Sequence, residues 1–323
     1  MDQPNPTIGI VIVSYNTREL LRDCLQSLQS VTLPRHILVI DNASRDDSVS
    51  MVRADFPQVK ICALEENRGF AAANNLGLRM LGFAPPPSGA ARITPPEFVL
   101  LLNPDTVVLP GALETLTAFL QAHPRVGLVS PRLLNPDGTT QTAAFRFPTL
   151  TMSLLEVFPP GEVLPGRLYN SWWHGRYPQE QNGVEPFPID HPLGACMLVR
   201  SSTIAQVGLL DENYFMYSEE IEWCRRIRQA GWAIWQQPHA RVVHVGGAAT
   251  QQFRRQMLVE LHRSRISFFK QHYRPGFLRM HRRITRLGML RATLCAWYAY
   301  RRCRIGRNEL RARLWAYGAI TRL

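Results

Sequence analysis

Short apolar runs alternate with helical patterns through the first 130 residues of the chain. The segments between the runs carry apolar residues at three- and four-residue spacing, which is typical of helices with one buried face. The runs are Ile8–Val13, His36–Ile40, Val59–Ala63, Phe98–Leu102 and Val126–Ser130. This alternation predicts an α/β fold with a mostly parallel, doubly wound sheet and right-handed crossovers.

The run Phe98–Leu102 has no polar residue, which favours a strand buried on both faces. Pro104 ends it abruptly and leaves Asp105 at the carboxyl end of a central strand, where open α/β sheets bind ligands. A carboxylate there can hold Mg²⁺ or Mn²⁺ beside a diphosphate. Alternatively, Asn103, Pro104 and Asp105 form only a turn, with a helix starting near Pro110.

Polar residues also follow the other predicted strands. Any one of them is more often a loop residue or a helix cap, but their combination at one sheet edge favours a nucleotide cleft. The residues are Ser14, Tyr15, Asn16, Asp41, Asn42, Asn67, Asn103 and Asp105. The chain has no G-x-G-x-x-G and no G-x-x-x-x-G-K-[ST] pattern, so dinucleotide and P-loop interpretations lack their motifs.

Four further residues are candidates for the site. Gly194 opens a small-residue segment in which a ligand could approach the backbone closely. Glu219 and Glu220 fall in the first turn of a predicted helix, where they either complement the helix dipole or supply a general base. His244 lies on an apolar segment just before two glycines, and is either a core residue or part of a site.

The net charge of +12 is unevenly distributed. Residues 253–323 hold 18 Lys and Arg against Glu260 and Glu309, whereas residues 1–252 carry a net −4. Within this basic tail, apolar residues from Phe277 to Trp297 recur at helical spacing, which predicts an amphipathic helix. Docking onto anionic lipid, packing on the main domain and self-association remain open, and nucleic acid is not expected because no binding motif is present.

The six cysteines form no C-x-x-C pair, which favours buried thiols in a reducing compartment. The N-terminus lacks the pattern of a signal peptide, and no apolar run is long enough to span a bilayer. We therefore expect a cytoplasmic protein, either soluble or peripheral on the inner face of the cell membrane.

Six ordered motifs resemble those of the family 2 glycosyltransferases, and in particular the rhamnosyltransferase-like enzymes of bacterial cell-surface polysaccharide synthesis. The motifs are Ile10–Asn16, Val39–Ser44, Asn67–Asn75, Leu101–Asp105, Gly194–Leu198 and Phe215–Arg225. The resemblance covers roughly residues 8–250. It implies a GT-A fold, a nucleotide-sugar donor, a divalent metal, Mg²⁺ or Mn²⁺, and inversion at the anomeric carbon.

The resemblance also assigns roles residue by residue. Ser14, Tyr15 and Asn16 would line the base and ribose pocket, Asp41 would bind the base, and Asn67 and Arg68 would lie near the ribose and diphosphate. Asp105 would bind the metal, with Asn103 in place of the first carboxylate of the family's Asp-x-Asp and Gly194 beside the donor. His244 matches a histidine that completes the metal site in related enzymes. Glu220 is assigned as the base, with Glu219 as the alternative.

The expected organisation is a GT-A catalytic domain over 1–252 and a basic helical tail over 253–323. The expected function is transfer of a sugar, L-rhamnose from dTDP-rhamnose being the leading candidate, to a glycan or polyprenyl-diphosphate-linked acceptor. A catalytically inactive nucleotide-sugar-binding protein is the alternative, and a nucleotidyltransferase ranks below both. An anionic membrane surface is an expected partner, and a homo-oligomer is left open.

Overall fold

The computed structural model describes residues 7–83, 93–158, 171–247 and 253–323. The strands are β1 Ile8–Ser14, β2 Arg35–Asp41, β3 Lys60–Ala63, β4 Phe98–Leu102, β5 Thr106–Val108, β6 Val126–Leu134, β7 Thr140–Gln141, β8 Ala144–Phe145, β9 Phe187–Pro188, β10 His191–Pro192, β11 Cys196–Arg200 and β12 Ala233–His244. The α-helices are α1 Arg18–Ser27, α2 Ser48–Asp55, α3 Gly69–Leu78, α4 Ala112–Ala122, α5 Leu150–Val157, α6 Gln179–Asn182, α7 Ser201–Val207, α8 Glu219–Gln229, α9 Arg254–His272, α10 Pro275–Arg301 and α11 Arg307–Arg322.

The described residues fall into two compact units. The first, here called the sheet unit, is drawn from Met1–Phe145, Tyr177–Phe215 and Glu219–Ala249. The second, here called the helical unit, is drawn from Arg146–Arg176, Met216–Ser218 and Thr250–Leu323. The C-terminal helices therefore group with α5, which the sequence placed in the catalytic domain. The predicted division at residue 252 stays a prediction.

The sheet unit is built on one large sheet with the strand order β3-β2-β1-β4-β11-β6-β12-β5. Strands β3, β2, β1 and β4 are parallel, as are β6 and β12, which confirms the predicted doubly wound α/β architecture. Strand β11 lies between β4 and β6 and runs antiparallel to both. The all-apolar strand β4 is fully buried, as its sequence predicts.

Two elements differ from their sequence-based bounds. The two short pieces predicted around Trp235 and Val243 form one strand, β12, with irregular pairing to β6 after Gln237. The irregularity explains why the apolar pattern is broken in the middle of a continuous strand. Strand β6 also extends past the predicted end at Ser130, to Leu134.

The helical unit consists of α5 and the three C-terminal helices. Helix α10 packs on α5 and α11, and α11 also packs on α9. A small apolar cluster of Val259, Met289, Ala316 and Ile320 lies among the last three helices. Within the described residues, no helix combines the length and the apolar character needed to cross a bilayer.

Candidate active site

Ser14 and Asp41 lie side by side where β1 and β2 end, because the parallel register pairs them directly. Both side chains are buried. The Oδ2 atom of Asp41 accepts a hydrogen bond from the Ser44 amide at 2.9 Å. The Oδ1 atom is buried without a hydrogen-bond partner, which leaves an acceptor for an N–H group such as a pyrimidine base presents.

Asn16 joins the end of β1 to the loop after β2. Its backbone has the left-handed φ of 51°, which asparagine tolerates better than most residues. Its Oδ1 atom accepts from the Arg45 amide at 2.7 Å, and its own amide donates to Ser44 Oγ at 2.9 Å. Asn16 therefore ties the end of β1 to the loop after β2, beside the half-buried Tyr15.

Asn42 organises the segment that carries Asn67 and Arg68. Its Nδ2 atom donates to Asn67 Oδ1 at 2.8 Å and to the Gly69 carbonyl at 3.2 Å, while its Oδ1 accepts from the Arg68 amide at 2.8 Å. The Arg68 side chain remains largely exposed, with its guanidinium 3.6 Å from Glu66. The sequence placed Asn42 among the polar residues at the strand ends but gave it no role of its own, and its bonds to Asn67 and Arg68 appear only in the structure.

Gly69 connects this segment to the chain that precedes the two glutamates. Its φ is +81°, and a Cβ atom at this position would lie 2.2 Å from the Phe215 carbonyl oxygen. The Phe70 amide donates to the same oxygen at 2.8 Å. Only glycine fits here, because both the backbone conformation and the close approach exclude a side chain.

Asp105 and His244 meet in the structure, as the sequence predicted. Their Oδ1 and Nε2 atoms are 3.3 Å apart, and each side chain is 6% exposed. The strands place them, because His244 pairs with Thr106 across β12 and β5 and the Val245 amide donates to the Asp105 carbonyl at 3.0 Å.

Gln141 determines which ring nitrogen of His244 faces Asp105. Its Nε2 atom donates to the His244 carbonyl at 3.2 Å and to Asn135 Oδ1 at 3.0 Å, so its Oε1 must face His244 Nδ1, 2.6 Å away. The hydrogen therefore lies on Nδ1, and a lone pair on Nε2 faces the Asp105 carboxylate. The two acceptors face each other at 3.3 Å, an arrangement that a cation bound by both would satisfy.

The residues fit a divalent cation. A carboxylate oxygen and an imidazole nitrogen converge in a buried place, and an outer side chain fixes the tautomer of the histidine. No group of three or more His, Cys, Asp or Glu that could hold a metal is found among the described residues.

Asn103 contributes through its backbone in this structure. Its amide donates to the Ala195 carbonyl at 2.8 Å, and its own carbonyl accepts from Thr106 Oγ1 at 2.7 Å. These bonds hold Asp105 next to the segment that begins at Gly194.

Glu220 lies against Gly194, whereas Glu219 is buried. A Cβ atom at Gly194 would lie 3.6 Å from Glu220 Cβ and Cγ, so the glycine leaves space on that side of the carboxylate. Burial, with a smaller contribution from the negative charge of Glu220, raises the pKa of Glu219 well above its ordinary value. Glu220 is only partly buried, which makes it the more exposed of the two residues.

Tyr217 and Ser218 precede these glutamates with φ values of 68° each. Two consecutive non-glycine residues in the left-handed region are strained, and such strain is concentrated at functional sites. It sets the direction in which α8 leaves the loop and hence the position of Glu219 and Glu220.

The predicted residues are thus joined by a chain of contacts along one sheet edge. Strand β1 lies in register between β2 and β4, so Ser14, Asp41 and Asn103 leave the sheet together. Asn103 then contacts the segment of Gly194, which contacts Glu220. This is the carboxyl edge of a GT-A fold, the fold of nucleotide-sugar-dependent glycosyltransferases.

Comparison with known proteins agrees with this class. The sequence model of "Glycosyl transferase family 2" matches residues 9–208, so the chain belongs to that family and is a glycosyltransferase. An "N-acetylglucosaminyl-diphospho-decaprenol L-rhamnosyltransferase" of Mycobacterium tuberculosis is 29% identical over 284 residues, covering 88% of this chain and 90% of the relative. The "Low-salt glycan biosynthesis hexosyltransferase Agl10" of Haloferax volcanii is 27% identical, covering 69% of this chain and 62% of the relative.

Two solved structures share the fold. The mannosyltransferase PcManGT from Pyrobaculum calidifontis, in complex with GDP-Man and Mn²⁺, superposes with a TM-score of 0.55 at 15% identity, covering 98% of this chain and 87% of that chain. GalNAc-T7, with UDP, GalNAc and Mn²⁺, superposes with a TM-score of 0.52 at 17% identity, covering 75% of this chain and 44% of that chain.

Proposed function

We propose that this chain is an active inverting glycosyltransferase that moves a deoxyhexose, L-rhamnose from dTDP-rhamnose being the leading candidate, to a hydroxyl of a lipid-linked or glycan acceptor. The observation that carries the proposal is the buried pair of Asp105 Oδ1 and His244 Nε2, 3.3 Å apart. The rhamnose donor and a polyprenyl-diphosphate-linked acceptor draw their support from the 29% identical mycobacterial relative.

The donor would bind along the sheet edge. Asp41 would accept a hydrogen bond from the base, and Ser14, Tyr15 and Asn16 would enclose the base and ribose. Asn67 and Arg68, held by Asn42, would lie toward the ribose and diphosphate. The unpartnered Asp41 Oδ1 supports this assignment, because a buried acceptor without a partner is costly unless a ligand satisfies it.

Asp105 and His244 would hold the divalent ion. When bound, the ion supplies positive charge beside the nucleoside diphosphate that leaves. Asn103, two positions before Asp105, stands where the family's Asp-x-Asp motif has its first carboxylate. In this chain His244 compensates as a second protein ligand.

Glu220 would act as the general base. Its carboxylate would take the proton of the acceptor hydroxyl while that oxygen attacks the anomeric carbon. The bond between the anomeric carbon and the diphosphate oxygen breaks in the same step, and the electron pair leaves with the nucleoside diphosphate. A single in-line displacement inverts the configuration and requires no enzyme nucleophile.

A nucleotide-sugar-binding protein without turnover is the second candidate, because Asn103 weakens the usual Asp-x-Asp. The arrangement of Glu220 at Gly194 and of His244 at Asp105 favours the active enzyme over this alternative.

We also infer that the enzyme works in the cytoplasm, as a peripheral protein on the inner face of the cell membrane. This inference is supported by the charge of residues 253–323, which have 18 basic and two acidic side chains. Polyprenyl-linked acceptors and anionic lipids share that surface, so a basic segment would bring the site to its acceptor.

The proposal is tested by the thermal midpoint of the protein with dTDP or UDP, each with and without Mn²⁺. A ligand that binds only the native state raises the midpoint. We expect the nucleotide to raise the thermal midpoint and Mn²⁺ to increase this rise. Asp105→Ala should abolish the rise, whereas the surface variant Asp55→Ala should retain it. No rise with either nucleotide would overturn the donor assignment.

A further inference from the structure

Helix α10 carries large apolar side chains on the side that the protein leaves uncovered. Their exposed fractions range from 43% to 62%. They are Met280, Leu287, Leu290, Leu294, Trp297 and Tyr298. A step of seven residues rotates by only about 20° around a helix, so Met280, Leu287 and Leu294 form one line along it.

The opposite side of α10 is the buried one, and apart from Met289 its buried side chains are small or polar. The buried residues are His281, Thr285, Gly288, Met289 and Ala296. Ala296 lies about 180° around the helix from Leu287, at about 100° per residue. At Gly288 a Cβ atom would lie 1.4 Å from Val157 Cγ1, so the glycine allows α5 to pack directly against the helix backbone. His281 Nδ1 is 3.0 Å from Ser153 Oγ on the same helix α5.

This distribution is the reverse of that in a water-exposed helix. A helix that faces water normally buries its large apolar residues and exposes its polar ones. Here α10 buries one large apolar side chain, that of Met289, and exposes six in a continuous apolar row, while His281 and Gly288 pack against α5. Exposing this apolar row to water costs free energy, and that cost is offset only if another apolar phase covers the row.

Arginine surrounds the exposed row. Arg279, Arg283, Arg286, Arg291 and Arg301 are exposed, and α10 contains no Asp or Glu. Across the described part of the chain, none of these five guanidinium groups forms an ion pair. The covering partner must therefore offer both an apolar interior and negative charge.

We propose that the exposed face of α10, comprising the six apolar residues and five arginines named above, docks in the plane of an anionic lipid bilayer. The apolar row would enter the acyl boundary, and the arginines would contact the lipid phosphates. Trp297 and Tyr298 fit the headgroup level, where amphipathic aromatic rings concentrate. A second copy of the chain fits less well, because two helices of the same positive charge would repel each other.

This inference deepens the proposed function by naming the surface that meets the membrane, and it rests on that function only for the inner face as location. Lipid binding by α10 does not require an active donor site. Vesicle binding and nucleotide binding therefore test the two claims separately.

The experiment is flotation of the full chain with vesicles of phosphatidylcholine alone or with about 30% phosphatidylglycerol. We expect wild type to float with the anionic vesicles only, and less at about 0.5 M than at about 0.1 M NaCl. In Leu287→Gln/Leu290→Gln/Leu294→Gln the partition coefficient should fall at least about tenfold. Gln retains helix propensity, so α10 should still form.

The matched control is Ile93→Gln/Val184→Gln, which changes apolar residues exposed at 56% and 60% in the sheet unit. It should float like wild type. Both variants should keep the nucleotide-dependent thermal shift, which would assign any lost flotation to the docking surface and not to misfolding.

Three results would overturn the proposal. The first is wild type that does not float with anionic vesicles, and the second is a triple variant that floats as wild type does. The third is a wild-type dimer in light scattering that the triple variant converts to monomer, since that would identify a second copy as the occupant. Brominated lipid offers a further check, because its quenching of tryptophan fluorescence should decrease in Trp297→Phe.

Discussion

The sheet unit and the helical unit treat large apolar side chains in opposite ways. Among the residues that the structure describes, four exposed large apolar residues belong to the sheet unit, namely Ile93, Val184, Phe215 and Val245. Eleven belong to the smaller helical unit, and they are Leu154, Trp172, Trp173, Phe253, Met280, Leu287, Leu290, Leu294, Trp297, Tyr298 and Trp315. The sheet unit instead buries a continuous apolar core under its strands.

The two units also place their charged groups differently. The sheet unit buries carboxylates such as Asp41, Asp105 and Glu219 along one strand edge, where they can act on a ligand. The helical unit exposes arginines around an apolar row. We infer that the buried polar groups of the sheet unit indicate a catalytic or binding site. The exposed apolar groups of the helical unit indicate a surface that a partner covers. The predictions below separate these two functions.

The largest effect is expected for Glu220→Gln in the sheet unit. Loss of a general base lowers the transfer rate by about 10²- to 10⁴-fold. Because Gln keeps the shape of the side chain, the nucleotide-dependent thermal shift and vesicle flotation should persist. Release of nucleoside diphosphate in the presence of acceptor measures the rate, and a rate equal to that of wild type would remove Glu220 from the mechanism.

Gln141→Leu should weaken metal binding by about 10- to 100-fold, the usual effect of losing a side chain that orients a metal-binding histidine. In the proposed metal site Gln141 would have this role, because its Oε1 lies 2.6 Å from His244 Nδ1. The protein is titrated with Mn²⁺ in the presence of nucleotide. The electron paramagnetic resonance signal of the free Mn²⁺ then gives the dissociation constant. The exposed variant Gln26→Leu is the control, and equal constants for both would refute the role.

Gly288→Ala should destabilise the helical unit. The added methyl group meets Val157 Cγ1 at 1.4 Å, and overpacking of this kind costs about 1–3 kcal/mol. At Gly318 the nearest atom is Arg322 Nη1 at 3.6 Å, so Gly318→Ala should be neutral or stabilise α11 by up to about 1 kcal/mol. Urea unfolding measures both. Equal effects of the two variants would contradict the close packing of α5 on α10.

Glu219→Gln should produce the smallest effect, which is a change in how stability depends on pH. Because the folded-state pKa of Glu219 is raised, the native state binds more protons than the unfolded state above the ordinary value of 4.5. Stability should therefore fall as pH rises from that value through the raised pKa, by at most about 1.4 kcal/mol per pH unit.

The Gln side chain mimics neutral Glu219, so this part of the pH slope should disappear from the free energy of unfolding in urea. Glu19→Gln, at an exposed position of α1, should keep the slope. An unchanged slope in Glu219→Gln would show that Glu219 does not retain its proton in the folded protein.

Much of the sheet unit could be predicted because its signals are local. The run Phe98–Leu102 is apolar without interruption, and only a strand covered on both faces uses such a run. Asp41 is the last residue of β2, and Asp105 comes three residues after the end of β4. Parallel strands bring their carboxyl ends to one edge. The position of these residues in the site thus follows from the order of elements.

The rest depended on contacts between distant parts of the chain. Gln141 meets His244 across 103 positions, and nothing near Gln141 in the sequence indicates a metal site. The antiparallel direction of β11 between β4 and β6 could not be predicted from the sequence either, because an apolar strand has the same pattern in either direction. The grouping of α5 with the C-terminal helices also lies beyond local periodicity.

Helix α10 shows the limit most directly. The sequence by itself determined that the segment is helical, basic and apolar along one side, since spacing and charge are local properties. Only the tertiary structure decided that this apolar side is left uncovered while His281, Thr285 and Gly288 face inward. The physical reason is that periodicity defines the faces of a helix, whereas which face is buried depends on the surface that packs against it, here α5 at Gly288.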